Sequence, residues 1–449
     1  MRIKFLSVIM GILLVSVAVS SCLDSDNNYE YSSDATIRSF VLDTIYGKDY
    51  KFTIDQLRNY IYNVDSLPVG ADSIIDRILI KTIEHSGLAI TSGLNDTIFN
   101  MADSVNLSEP IQLKVHALDG ITIRIYTIQV NVHKQDPDSL IWHEMESLPV
   151  SPVTGKPRSV ILNEDLYVYT SPTTAYRSSI SNPSVLQWDH VTVNGLPADA
   201  KLTSLINFDN QLYLTTESGK ALYSANGTDW QEMDMQGMQM VTFVAGIPED
   251  NVTGSPKALA GIFVKEGNNH FCTKSIEGTE WVKGEEPIPA NFPIEDIYST
   301  VFTNANGIEQ VVVVGNTPEA SDVTAPWFTM DGLSWVDMSE GAAIPCPGMR
   351  NPSIMYYGDM FYVMGGEFDT IYSSIVGLAW YKSEGKFRYP IVKVVENGEN
   401  DTEIIKEENV FEGKGDYSLT IDNEHYIRIV WNTGEVWCAR LNKLGFERQ

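Results

Sequence analysis

A seven-residue phrase returns four times in the C-terminal half of the chain: Ser224-Ala-Asn-Gly227-Thr-Asp-Trp230, Ser275-Ile-Glu-Gly278-Thr-Glu-Trp281, Thr329-Met-Asp-Gly332-Leu-Ser-Trp335 and Ser374-Ile-Val-Gly377-Leu-Ala-Trp380. A hydroxyl, a mostly polar residue, a glycine and a tryptophan recur at fixed offsets after 51, 54 and 45 residues. Self-similarity at that period marks one supersecondary unit repeated around an axis.

Tryptophans extend the beat beyond the phrase. Trp142, Trp188, Trp230, Trp281, Trp335, Trp380 and Trp437 bound six intervals of 46, 42, 51, 54, 45 and 57 residues. Strand phrases keep the same spacing: Asp165-Leu-Tyr-Val168, Gln211-Leu-Tyr-Leu214 and Met360-Phe-Tyr-Val363 each follow a turn-rich tripeptide. Each interval reads as one four-stranded blade, so the fold class is all-β, with a six-bladed β-propeller over 139–449; degenerate first and last units leave seven blades as the alternative. The strand Glu435 to Leu441 is expected to close the ring beside the strand holding Trp142, because closure removes exposed edges.

Within the phrase, Asn226, Glu277 and Asp331 can accept bonds from nearby amides, and Gly227, Gly278, Gly332 and Gly377 supply the positive φ of a tight turn. The hydroxyls of Ser224, Ser275, Thr329 and Ser374 add a bond, and each tryptophan packs between blades. Val376 lacks the polar group, so its turn is expected to be looser. The phrase resembles the Asp-box of sialidases and other propellers, matched in spacing in three copies; the resemblance implies a structural turn on the outer rim. Met364-Gly365-Gly366-Glu367 resembles a single kelch-type double glycine.

Ahead of the repeats, Arg2 and Lys4 precede an apolar run from Phe5 to Val19 and then Val19-Ser20-Ser21-Cys22. That run is short for a membrane span and reads as a secretory signal over 1–21. The cysteine after small residues resembles a bacterial lipobox, which implies lipidation of Cys22 and a membrane partner through the lipid anchor, without a spanning helix. Residues 22–33 read as a flexible acidic tether. Acids just behind the lipid cysteine resemble the export signals of surface-exposed Bacteroidota lipoproteins, implying an outer-membrane protein that faces the exterior.

The formal charge is −28, or −30 without Arg2 and Lys4, which excludes a nucleic-acid partner. Cys272, Cys346 and Cys438 form neither a disulfide framework nor a CxxC metal pattern and read as buried, inert thiols. Residues 34–134 read as a small β domain of immunoglobulin-like type, ahead of a linker at 135–138. Strand candidates are Ile37 to Leu42, Tyr50 to Ile54, Arg77 to Ile83 and Thr97 to Met101. A hairpin pairs Ile111, Leu113, Val115 and Ala117 with Ile121, Ile123 and Ile125 across Asp119-Gly120. Ile128, Val130 and Val132 fall on the opposite parity, which predicts a β-bulge near Tyr126.

The lipobox, Ile61-Tyr-Asn-Val-Asp-Ser-Leu-Pro68, the stretch Ile111 to His133, Asp136-Pro-Asp-Ser-Leu-Ile-Trp142 and Arg440-Leu-Asn-Lys-Leu-Gly-Phe446 together resemble a domain-of-unknown-function family of Bacteroidota lipoproteins. The resemblance spans nearly the whole chain and implies the immunoglobulin-like domain and the propeller, with no activity attached. Those bacteria O-glycosylate Asp-Ser/Thr-aliphatic triplets, and here the triplets nominate Thr44, Ser66, Ser73, Thr97, Ser104, Ser139 and Thr370 as acceptors.

A sialidase needs clustered arginines and a tyrosine nucleophile with an acidic partner, yet the propeller offers Arg158 and Arg177 and then none until Arg350. Acid pairs sit at Glu249/Asp250, Glu295/Asp296, Glu319/Asp322 and Glu367/Asp369, as 59 acids would place by chance. No His-x-x-x-His, phosphate loop, dinucleotide fingerprint, Gly-x-Ser-x-Gly or calcium ladder occurs, so no catalytic residue, metal or cofactor is nominated. The preferred reading is a surface lipoprotein that binds a glycan or protein partner in the propeller funnel; the alternative is a propeller glycoside hydrolase or lyase acting on extracellular polysaccharide.

Overall fold

The computed structural model describes residues 30–93, 96–153, 155–250, 254–383, 385–397 and 403–446. The signal, Cys22 and the tether up to residue 29 lie outside them. The chain divides between Asp136 and Pro137 into two compact units.

The first unit holds β1 (Ile37–Leu42), β2 (Thr53–Asp55), β3 (Tyr60–Tyr62), the single turn α1 (Asp72–Ile75), β4 (Ile80–His85), β5 (Ala89–Ser92), β6 (Ile111–His116) and β7 (Ile123–Gln129). β1 pairs with β4, and a five-stranded sheet runs β2-β3-β7-β6-β5 with β3 and β7 parallel. Their shared core includes Ile37, Ile61, Leu113, Val115, Tyr126 and Ile128, all at most 2% exposed. The hydroxyl of Tyr126 donates to Gln56 Oε1 at 2.6 Å and accepts from the Ile37 N–H at 3.2 Å, so this buried phenol is satisfied across elements.

The expected hairpin forms, with Asp119 Oδ1 accepting from the Ile121 and Thr122 amides and Gly120 at φ 72°. The expected bulge does not. Register runs unbroken from Ile111↔Ile128 through Leu113↔Tyr126 to His116↔Ile123. Even-numbered positions of the return strand face inward throughout, so Ile121, Ile123 and Ile125 are an outward apolar stripe, 85%, 51% and 45% exposed. Thr97 to Met101 is likewise no strand: Ile98 makes one isolated bridge to Thr91, and Asp96 beside it turns the chain at φ 54°.

The second unit contains six four-stranded antiparallel sheets among the described residues. Their first strands are Arg158–Leu162, Ala200–Phe208, Gln239–Ile247, Glu295–Thr303, Ser353–Tyr357 and Tyr417–Ile421. The first five of these strands neighbour one another in turn, the sixth meets the fifth where the Tyr417 hydroxyl lies 2.9 Å from Ser353 Oγ, and it returns to the first through Ser418 Oγ, which bonds both the Ser159 amide and hydroxyl at 2.9 Å. The sixth sheet joins the two ends of the unit, because its outermost strand is β8 (Leu140–Met145), paired with Val436–Leu441 in the register Ala439↔Trp142. The Ile391–Asn397 and Glu403–Asn409 strands pair antiparallel as a separate two-stranded sheet, between the fifth and sixth sheets along the chain.

The middle stretches of the second strands are predominantly apolar on both faces, as in Val311 to Val314, because both faces are covered. Val311 and Val313 enter the layer shared with the third sheet, whereas Val312 and Val314 enter the layer shared with the fifth. Leu166 and Val168 face the sixth sheet, and Tyr167 and Tyr169 the second. This alternation makes each layer a separate core, with Trp230, Trp281, Trp335 and Trp380 each packed in the layer before its own sheet.

The repeated phrase joins the third strand of a sheet to its outermost one. Ser224 Oγ, Thr329 Oγ1 and Ser374 Oγ accept from the amides of Gly227, Gly332 and Gly377 at 3.0, 2.8 and 2.9 Å, with the glycines at φ 75°, 74° and 79°. Asn226 Oδ1 takes the amides of Thr228 and Asp229, and Asp331 Oδ1 those of Leu333 and Ser334. The Val376 turn keeps its hydroxyl bond and positive φ, and Trp380 Nε1 donates to the Gly377 carbonyl at 3.0 Å, but valine cannot accept the two amide bonds that Asn226 and Asp331 take. The departure lies at Gly278, which does not adopt positive φ and gives its amide to the Ser275 carbonyl.

That difference predicts two unequal substitutions. A Cβ on Gly332 would sit 2.8 Å from Thr273 Cγ2 and 2.9 Å from Ala260 Cβ at a left-handed φ, so Gly332→Ala is expected to cost about 2–3 kcal/mol. Gly278→Ala should stay within about 0.5 kcal/mol. Urea unfolding of both variants checks this, and equal losses would contradict it.

Candidate functional site

The first strands of the six sheets surround a central channel, and buried polar groups gather along it. Where these strands begin, Lys156 Nζ lies 2.9 Å from Asp296 Oδ2, with side chains only 10% and 11% exposed. Asn316 Nδ2 donates to Asp296 Oδ2 at 3.2 Å and to Asn351 Oδ1 at 2.7 Å, and Asn351 Nδ2 donates to Asp416 Oδ1 at 3.1 Å. The relay therefore links the first, fourth, fifth and sixth sheets. Amide dipoles and one cation hold its two carboxylates, which suits cross-bracing of the ring.

Deeper in the channel, Lys156 lies 5.8 Å from the Tyr417 ring centre, the Tyr417 and Tyr298 rings are parallel to within 5° at 6.3 Å, and the Arg158 guanidinium sits 4.6 Å from the Tyr298 ring centre. Burial holds the Tyr417 phenol well above the usual tyrosine range. Its hydroxyl donates to the Asn351 carbonyl at 2.9 Å and lies 2.9 Å from the Ser353 hydroxyl, so it braces the fifth sheet against the sixth.

Arg158 and Tyr298 also line a cavity of about 470 Å³, which extends toward the ends of the first strands. Two-residue turns shape its rim. Asn163-Glu164 joins Leu162 to Asp165 and Asp209-Asn210 joins Phe208 to Gln211, all four turn residues at positive φ between 47° and 64°. Asn210 Nδ2 donates to Asn163 Oδ1 at 2.6 Å, and Asn207, Ser299, Thr420 and Asn423 complete a largely uncharged polar wall. Asp422 lines it too, but Arg428 Nη1 claims its Oδ2 at 2.6 Å.

The residues singled out in the sequence fall elsewhere, with two exceptions. The phrase residues lie at the turns to the outermost strands, away from the channel. Glu249, Glu295, Glu319, Asp322, Glu367 and Asp369 are exposed; of the four acid pairs, only Asp296 joins the channel network. The arginines do not cluster: Arg158 is in the channel, Arg177 lies between Asp165 and Asp189 at 3.9 and 3.7 Å, and Arg350 is exposed. Arg158 entered the sequence reading only in a count of arginines, and Lys156 not at all. Among the triplet residues Thr44, Ser73, Thr97 and Ser104 are exposed, while Ser66, Ser139 and Thr370 are half-buried. Cys272, Cys346 and Cys438 are buried and unpaired with one another, and burial pushes their thiols up to about 12, 12 and 11. Among the described residues, no cluster of three or more His, Cys, Asp or Glu side chains is placed to hold a metal ion.

Comparison with known proteins matches residues 136–449 to the DUF6242 beta propeller domain and residues 22–130 to the N-terminal domain of the same family, a domain of unknown function. No curated protein matches. Among solved structures, a virginiamycin B lyase from Staphylococcus aureus is 10% identical, with a TM-score of 0.40 over 67% of this chain and 99% of the other. A Hadza microbial sialidase is 11% identical, with a TM-score of 0.38 over 74% of this chain and 73% of its own.

Proposed function

The chain belongs to the DUF6242 family, with the N-terminal domain and the β-propeller both present, and we propose that it is a surface lipoprotein, anchored through Cys22, that binds a glycan without transforming it. On this reading the six four-stranded sheets are six blades, and the N-terminal domain is an immunoglobulin-like spacer between anchor and propeller along the chain. The observation that carries it is the cavity of about 470 Å³ on the propeller axis, within the size range of small-ligand sites. Its carboxamides and hydroxyls offer paired donors and acceptors suited to sugar hydroxyls. The Tyr298 ring already contacts the Arg158 guanidinium and the Tyr417 ring, so recognition rests on hydrogen bonding more than on a free stacking platform. A hydrolase would need a free carboxylate pair at the ligand. Asp296 is paired with Lys156 and Asp422 with Arg428, which favours binding over hydrolysis.

A glycan array probed with the mature chain tests the reading. Binding to a defined glycan class, lost in Ser299→Trp, which fills the cavity from an exposed position of the fourth sheet, is the expected result. Uniformly negative arrays, or cleavage of the bound glycan, would overturn it.

A further inference from the structure

Arg158 is the group in the cavity whose chemistry is unspent. Its residue is 5% exposed, and it belongs to the first strand of the first sheet. Nε donates to the Leu205 carbonyl at 3.1 Å and Nη2 to the Ile297 carbonyl at 3.2 Å, so the side chain reaches across the channel to the second and fourth sheets. Nη1 has no protein partner among the described residues. The ion pairs in the channel are Lys156–Asp296 and Arg428–Asp422, and Arg158 takes part in neither. A guanidinium cannot shed its charge, and burying a cation without an anion is costly unless an anion is supplied.

The charges facing the cavity make that anion a ligand group. Asp422 is neutralised by Arg428, and Glu164 is exposed on the rim. Charges elsewhere on the acidic surface are screened beyond about 8 Å at physiological salt. We propose that the cavity takes a carboxylate-bearing sugar, a uronic acid, whose carboxylate pairs with Arg158 while its hydroxyls meet the amide wall. This inference rests on the cavity being the ligand site. It adds that the ligand is anionic. The planar guanidinium, braced by two carbonyls and the Tyr298 ring, is already fixed before a ligand arrives, which lowers the entropic cost of pairing.

Calorimetric titration of the full mature chain with D-galacturonate, D-glucuronate and neutral D-galactose tests the inference. The expected result is saturable binding of at least one uronate, at least tenfold tighter than galactose, lost in Arg158→Met and partly retained in Arg158→Lys, which keeps the charge. A merely structural role for Arg158 would weaken uronate and galactose alike. Should Arg158→Met fail to fold, Asn163→Asp on the exposed rim places a second anion at the site. It is expected to weaken uronate binding on the order of tenfold more than it weakens galactose binding. Equal affinity for uronate and galactose, or uronate binding indifferent to both substitutions, would overturn the anionic assignment and leave the cavity as a neutral-glycan site. No uronate binding would overturn it too, while the array decides separately whether the cavity binds glycans at all.

Discussion

Asp422→Ala is expected to destabilise the propeller by about 4–5 kcal/mol, because it strands a buried cation and unties a turn together. Arg428 is 0% exposed in the second strand of the sixth sheet, and its Nε and Nη2 have no hydrogen-bond partner among the described residues. Asp422 Oδ2, 2.6 Å from Nη1, is its compensating charge. The other oxygen, Oδ1, accepts the amides of Glu424 at 3.0 Å and Tyr426 at 2.8 Å and so shapes the turn between the first two strands. The two roles separate by substitution. Asp422→Asn keeps an oxygen for the amides and removes the charge, which should cost about 3 kcal/mol. Alanine adds two lost turn bonds at about 1 kcal/mol each. Asp422→Asn combined with Arg428→Met should recover most of the loss, since removing both members of a buried pair is often neutral. Urea midpoints with unchanged m-values measure all three. An alanine variant within about 1 kcal/mol of the parent would show that Arg428 is not compensated by Asp422.

The propeller was legible because its signals are local and repeated. A strand such as Val311 to Val314, apolar at every position, can only be one covered on both faces, and each phrase encodes its turn within seven residues. The N-terminal unit was less legible for the opposite reason. Ile121, Ile123 and Ile125 alternate as convincingly as a core face, yet they face out, because Tyr126 and Ile128 carry the inner face and pairing with Leu113 and Ile111 fixes the parity. The parallel pairing of Tyr60–Tyr62 with the return strand joins residues far apart in sequence and leaves no periodic trace. The channel was hidden by the same physics. Arg158 meets the Ile297 carbonyl across 139 residues, and Asn351 meets Asp416 across 65, contacts that exist only once the ring is closed. A glutamate in place of Asn or Asp was enough to make the second phrase look equivalent, although Gly278 lacks the positive φ of the other three.

Closure itself sets the last expectation: Ala439→Pro should cost at least about 4 kcal/mol and open the ring. Ala439 is 1% exposed in the third strand of the sixth sheet, opposite Ile427 on one side and Trp142 of β8 on the other. Proline there removes a ladder donor and sets its ring against the neighbouring backbone, which costs about 3 kcal/mol or more in a central strand position. The effect spreads because β8 is the one strand of this sheet contributed from the start of the unit. If its partner is displaced, the layer holding Leu148, Leu166, Val168, Val430 and Val436 loses its cover, and two sheet edges become unpaired at once. The other five sheets are each built from consecutive strands and should persist as a partly folded array. Urea unfolding of Ala439→Pro should therefore broaden into more than one transition, and limited proteolysis should release a fragment ending near Glu435. A single sharp transition near the parent midpoint would mean that the pairing of β8 with the final strand is not what holds the ring shut.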